Sequence, residues 1–225
     1  MKAVIFDLYE TLVTEFSDRK RISNRHYDYM ALLGLAYPAF KKSWSARQGR
    51  RMSGELSSYH EVLHDILAEH GLPIKPESIE YLYQERIKEK RIPFQDIRPD
   101  IIDMLHTLGQ HQVKLGLISN CTEEEVRYWG ESPLAKCFDT VIFSYETGMA
   151  KPDQRIYELA SERMGIRTDE AFFVGDGGSQ ELTGAEHAGM TPCHATWFNG
   201  QIASPYPIYD SPRSLVDEIL KHVSR

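Results

Sequence analysis

The chain has few cysteines, no long apolar run and no excess of positive charge, and each shortage excludes something. Its 225 residues include three cysteines, Cys121, Cys137 and Cys193. They are odd in number, far apart and without a C-x-x-C pair, so they read as reduced thiols, neither a disulfide framework nor a zinc site. No apolar stretch is long enough to span a bilayer. The opening run Ala3-Val4-Ile5-Phe6 ends at Asp7, too soon for a signal peptide. Lys and Arg number 26 against 33 Asp and Glu, a net charge of −7, which disfavours nucleic acid or an anionic membrane as partner. These shortages lead us to expect a cytoplasmic protein acting on a small molecule. An anionic substrate then needs local positive charge inside a site. The oligomeric state is not legible.

What is present is ordinary globular composition, 41% hydrophobic and 26% charged, enough for a real core. The apolar pattern changes character twice. Residues 3–6 form a short continuous apolar run, as in a strand buried on both faces of a parallel sheet. From 15 to 92 the pattern is helical and no strand is evident. Tyr59, Val62, Leu63, Ile66 and Leu67 share one face, and Gly71-Leu72-Pro73 stops that helix. After Pro93, apolar strand-like runs near 113–118, 140–143, 171–174 and 192–196 alternate with helical segments near 99–108, 123–129, 153–164, 181–188 and 214–223. The expectation is an α/β fold: a Rossmann-like parallel-sheet core, residues 1–14 and 93–225, with an inserted α-helical cap, residues 15–92. Ligands of such sheets bind at the carboxyl ends of the strands, where Asp7, Ser119-Asn120, Ser144 and Asp176 converge.

Four segments carry the chemistry: Phe6-Asp7-Leu8-Tyr9-Glu10-Thr11-Leu12, Leu117-Ile118-Ser119-Asn120, Lys151-Pro152-Asp153 and Val174-Gly175-Asp176-Gly177-Gly178-Ser179-Gln180-Glu181. In this order, each after a strand or before a helix, they resemble the four motifs of the haloacid dehalogenase-like hydrolase superfamily. The helical insertion sits where that family's type-1 cap does. The resemblance implies that Asp7 is a nucleophile forming a covalent ester that water hydrolyses. It implies that Lys151 neutralises the transferring group and that Ser119 and Asn120 hold it. It also implies Mg²⁺ on the Asp7 carboxylate, the Tyr9 backbone carbonyl and Asp176, with Glu181 orienting a metal-bound water or Lys151.

Two positions depart from the phosphatase pattern. Tyr9 stands where those enzymes carry the aspartate that protonates the leaving group, and a phenol near pKa 10 is a poor acid at neutral pH. Asp-x-Tyr looks like the 2-haloacid dehalogenase branch, in which a cap arginine binds the halide; Arg47 is the candidate here. Glu10 replaces a usual glycine. The fourth motif points the other way, because its Asp176 and Glu181 look like the Mg²⁺-dependent phosphatase loop. The leading expectation is a Mg²⁺-dependent phosphatase acting on a small anionic metabolite with a good leaving group. A 2-haloacid dehalogenase, and a low-turnover binding or regulatory protein of the same fold, stay open.

Three further patterns compete. His60-Glu61-Val62-Leu63-His64 matches a zinc-protease motif, but both histidines flank an apolar stripe as on an ordinary helix surface. Gly175-Asp176-Gly177 begins a dinucleotide fingerprint that Gln180 breaks. The basic cluster Arg47, Arg50 and Arg51 reads either as a solvated helix end or as cations reaching down from the cap.

Overall fold

The computed structural model describes residues 1–23 and 26–223. A six-stranded sheet organises it, with strands β1 (Ala3–Phe6), β4 (Lys114–Ser119), β5 (Thr140–Phe143), β6 (Ala171–Gly175), β7 (Thr191–Ala195) and β8 (Ile208–Tyr209). All neighbours are parallel and the order is β5-β4-β1-β6-β7-β8. A small antiparallel hairpin, β2 (Phe16–Ser17) and β3 (Lys20–Arg21), follows the first strand.

Strand alternation divides the core into two faces. Val4, Phe6, Leu115, Leu117, Phe172 and Val174 point to one side. There they meet α6 (Pro99–Gln110) and α11 (Pro212–His222) through Ile101, Leu105, Leu108, Leu215 and Ile219. Ala3, Ile5, Ile118, Ile142 and Phe173 point to the other side. They meet α9 (Gln154–Met164) and α10 (Glu181–His187) through Ile156, Tyr157, Ala160, Met164 and Leu182. The period-2 alternation of β1 thus serves two apolar layers, which is why its run has no polar residue.

A third apolar cluster lies wholly within residues 29–82 and comprises Tyr29, Leu33, Phe40, Tyr59, Leu63, Ile66, Leu67, Ile79 and Leu82 with their neighbours. Its helices are α1 (Tyr29–Leu33), α2 (Tyr37–Ala46), α3 (Gln48–Met52), α4 (Tyr59–Glu69) and α5 (Pro76–Arg91). Helix α4 begins where the Ser58 side chain accepts from the Glu61 backbone N–H, and it buries the stripe Tyr59, Val62, Leu63, Ile66 and Leu67. Leu67 is fully buried, so truncation to alanine costs about 2–5 kcal/mol.

Two elements differ from the sequence expectation. The β2–β3 hairpin lies in the stretch expected to be helical. Its turn places Asp18 and Arg19 at φ of 49° and 64°, positions usually signalled by glycine or asparagine. Strand β8 is two residues long, with Ile208 exposed, and such a short edge leaves no periodicity to read. Among the described residues no helix is long and apolar enough to cross a membrane.

Candidate active site

The carboxyl ends of β1, β4 and β6 open on one edge of the sheet. Asp7 follows β1 directly and its backbone N–H donates to the Val174 carbonyl at 2.8 Å, so the strand ladder itself aims this side chain. Asp176 follows β6, and Glu181 begins α10 one turn later. The carboxylate oxygens of Asp7, Asp176 and Glu181 lie within 4.8 Å of one another, and all three residues are buried. Gly175 makes room for this: a side chain there would put its Cβ 2.1 Å from Glu181 Oε1.

Lys151 sits among these acids. Its ammonium donates to Asp7 Oδ1 and, at 2.5 Å, to Glu181 Oε2. Burial alone would lower the Lys151 pKa, but Asp7 and Glu181 more than offset this and hold the charge on the lysine. Burial, and then repulsion from Asp7, raise the carboxyl groups of Asp176 and Glu181 above the usual range. The Asn120 side chain steadies the lysine's backbone. Asn120 accepts from the Lys151 backbone N–H and donates to its carbonyl, both at 2.8 Å. Behind Pro152, Gly184 lets α10 approach closely: a Cβ there would lie 2.7 Å from the Pro152 carbonyl oxygen.

The rest of the floor is polar and mostly engaged. Thr11 Oγ1 donates to Asp7 Oδ2 at 3.3 Å, and Asn199 Nδ2 to Asp176 Oδ2 at 3.1 Å. The Gly178 N–H donates to Asp176 Oδ1 at 2.9 Å, and the Gly177 N–H to Glu181 Oε1 at 3.2 Å. Tyr157, buried beneath, donates to the Glu181 carbonyl at 2.7 Å. The Ser119 hydroxyl is buried and has no hydrogen-bond partner of ordinary geometry.

Above the floor is a cleft of about 740 Å³, with Asn120, Lys151 and Ser179 on one side and Trp44, Gln48, Arg51, Arg86 and Lys90 on the other. Its roof is an ionic lattice between the helical layer and the core. Arg86 pairs with Glu125 at 2.7 Å and Glu124 at 3.4 Å; Lys90 pairs with Glu15 at 2.8 Å and Glu125 at 2.9 Å. Burial would raise the Glu15 carboxyl, but Lys90 and Arg21 bring it down to about 2.

Of the residues singled out in the sequence, Asp7, Ser119, Lys151, Asp176 and Glu181 come together. Asn120 does too, but its amide is committed to the Lys151 backbone. Tyr9 adjoins the site, yet its hydroxyl donates to the Glu125 carbonyl at 2.6 Å. Burial, then Glu125 and Glu15, push that phenol well above 10. Arg47 does not reach the cleft. Its guanidinium bonds Asp65 at 2.6 Å, the Ser43 carbonyl at 2.9 Å and Glu69 at 2.7 Å, which ties α2 to α4. Arg47 stands at the junction of α2 and α3, and it is Arg51, within α3, that lines the cleft. Glu10 adopts φ of 60° and its carboxylate accepts from Thr14 and the Glu15 N–H, closing the turn before the hairpin.

His60 pairs with Glu80 at 2.9 Å and His64 is exposed. Among the described residues, the Asp7–Asp176–Glu181 trio is the only group of three potential metal-ligating side chains, which sets the zinc pattern aside. Cys121 is fully buried and burial pushes its thiol up, so it is an inert packing residue. Thr11 and Asn199 escaped the sequence reading. Thr11 lies in the turn just after Asp7, inside the first motif, where its hydroxyl could have been flagged; Asn199 sits in a polar loop with no pattern.

Residues 1–189 match the family described as haloacid dehalogenase-like hydrolase. The chain belongs to the haloacid dehalogenase-like hydrolase family. Among curated members it is 30% identical over 131 residues to a glyceraldehyde 3-phosphate phosphatase of Methanopyrus kandleri, covering 54% of this chain and 55% of that enzyme. The chain therefore spans about half the length of that relative. It is 25% identical over 220 residues to an (S)-2-haloacid dehalogenase of Pseudomonas putida, covering 89% of this chain and 86% of that one. The fold superposes on a 2-haloacid dehalogenase of Pseudomonas syringae with a TM-score of 0.72, at 22% identity and full coverage of both chains. The haloacid dehalogenase-like fold is thus shared with enzymes of two chemistries.

Proposed function

We propose that this chain is a Mg²⁺-dependent phosphohydrolase in which Asp7 is the nucleophile and residues 15–92 cap the cleft. The observation that carries the reading is the acidic trio. Three carboxylates within 4.8 Å exceed what one lysine neutralises, and burial, then repulsion from Asp7, raise the carboxyl groups of Asp176 and Glu181. Hard oxygen donors of this kind suit Mg²⁺. Asp7, Asp176 and the Tyr9 backbone carbonyl would hold the ion, with Glu181 behind it. When bound, the ion screens the carboxylates from an incoming phosphate and draws charge from its oxygens.

The chain's own residues do the rest. An Asp7 oxygen attacks phosphorus, and the bond from phosphorus to the leaving oxygen breaks. Lys151 stays charged and holds Asp7 for that attack, while the unpartnered Ser119 hydroxyl donates to a phosphoryl oxygen. Water then attacks the phosphoryl group on Asp7, releases phosphate and restores the carboxylate. Tyr9 supplies no proton, since its phenol is held by Glu125 and its pKa is far above neutrality. The preferred substrates are therefore small phosphorylated metabolites with good leaving groups, such as acyl or aryl phosphates.

The same Tyr9 favours a second reading, 2-haloacid dehalogenation, because halide leaves without a proton. The test is phosphate release from acetyl phosphate and phenyl phosphate with Mg²⁺ or with a chelator, beside Asp7→Asn. Mg²⁺-dependent release lost in the variant is expected. Halide release from 2-chloropropionate that ignores the chelator would replace the first reading with the second.

A further inference from the structure

Among the described residues, every cation lining the cleft has a carboxylate partner except one. Lys151 has Asp7 and Glu181, Arg86 has Glu124 and Glu125, Lys90 has Glu15 and Glu125, and Arg21 has Glu15. Arg51 is 6% exposed and its guanidinium makes no hydrogen bond or ion pair among the described residues. Its Nε is buried with no partner among the described residues, and its Cζ lies over the Trp44 ring, 4.1 Å from the centroid. Glu124 and Glu125 act on it only at longer range. A guanidinium held at low exposure without a counter-ion is destabilising until an anion arrives to meet it.

Its backbone is anchored as well as buried. Gly54, just beyond α3, sits at φ of 71°, where a Cβ would come 2.1 Å from the Tyr145 carbonyl oxygen on the core. The helix end carrying Arg51 is therefore pressed against the core beside the floor residues. Arg51 and Lys151 line the same cavity from opposite walls.

From this geometry we infer that Arg51 forms a second anion subsite, which reads a carboxylate or second phosphate on the leaving portion of the substrate. The inference rests on the phosphohydrolase reading and narrows it: the substrate is a small phosphorylated compound carrying another negative group within reach of the phosphoryl centre. The guanidinium fork is planar by its own resonance and the Trp44 ring beneath holds it in place, which favours a two-oxygen acceptor.

Calorimetric titration in Mg²⁺ with methylphosphonate, phosphonoacetate and methylenediphosphonate tests it on the wild type, Arg51→Met and Arg51→Lys. The wild type should bind one of the two tethered dianions at least about tenfold tighter than methylphosphonate, the gain of a charge-assisted hydrogen-bond pair. Arg51→Met should lose that gain and keep its methylphosphonate affinity, and Arg51→Lys should retain part of it. Whichever dianion shows the gain names the source as carboxylate or phosphate. Magnesium chelation by the diphosphonate is common to all three proteins and cancels in the comparison. Since the variant removes an unpaired buried charge, Arg51→Met should melt at or above the wild-type temperature. Equal affinities of wild type and Arg51→Met for both dianions overturn the subsite, and a lower melting temperature alongside would assign Arg51 to packing. Failure of the wild type to bind methylphosphonate would instead overturn the phosphohydrolase reading. The subsite is then read with malonate, which must still bind more weakly to Arg51→Met.

Discussion

The floor and the roof of the cleft solve opposite charge problems. On the floor, three carboxylates surround one lysine, so negative charge is in excess and Asp176 and Glu181 resist ionisation. In the roof, Arg86 and Lys90 pair with Glu15, Glu124 and Glu125. There the carboxyl of Glu15 is drawn down and one guanidinium is left over. A chain of net charge −7 thus leaves one guanidinium of the roof without a counter-ion among the described residues. It keeps its unbalanced negative charge where a divalent ion binds in the proposed mechanism. The difference shows that composition says little about a site, because sorting charge over a few ångströms is the work of the fold.

The largest expected effect breaks the floor. Asp7→Asn should lower turnover by about a thousandfold or more, since the amide cannot form the ester; single-turnover phosphate release measures it. Lys151→Met should come next, with kcat/KM down about a hundredfold as two carboxylates lose their shared cation. Steady-state kinetics read that loss.

The roof should fail on the acid side instead. The folded Glu15 carboxyl lies at about 2, below the usual 4.5, so its contribution is complete above the ordinary carboxylate range and disappears as pH falls through about 2. About 3 kcal/mol of unfolding free energy should be lost between pH 5 and pH 2 through this group, by denaturant titration, and Glu15→Gln should flatten that slope. Mg²⁺ at a hundred times its dissociation constant should stabilise the wild type by about 2.7 kcal/mol and leave Asp176→Asn nearly unmoved, as melting curves would record. The smallest effect is at the seam between the two regions. Tyr9→Phe removes one hydrogen bond to the Glu125 carbonyl and should cost about 1 kcal/mol of stability while changing kcat by less than about threefold. A hundredfold fall in kcat would make Tyr9 an acid after all.

Much of the floor was legible because its residues terminate recognisable elements. Asp7 ends a four-residue apolar run, Ser119 ends another, and Asp176 follows a third, so strand logic alone brings them to one edge. The roof was not legible in the same way. Arg47, Arg50 and Arg51 stand together in the sequence, and which of them faces the cleft depends on the rotation of a short helix and on where Asp65 and Glu69 lie. Glu124 and Glu125 carry no signal in the sequence, yet both are buried against the helix over residues 76–91, where Arg86 pairs with them.

The sequence by itself determined the parallel sheet, the helical insertion and the order of the four motifs, since these follow from short-range apolar periodicity and chain punctuation. Only the tertiary structure decided that Tyr9 points at the Glu125 carbonyl, that Asn120 holds Lys151, and that Arg51 is left without a partner. Those are statements about side chains more than thirty residues apart in sequence competing for the same few donors and acceptors. That competition is settled by packing in three dimensions, where local pattern has no information.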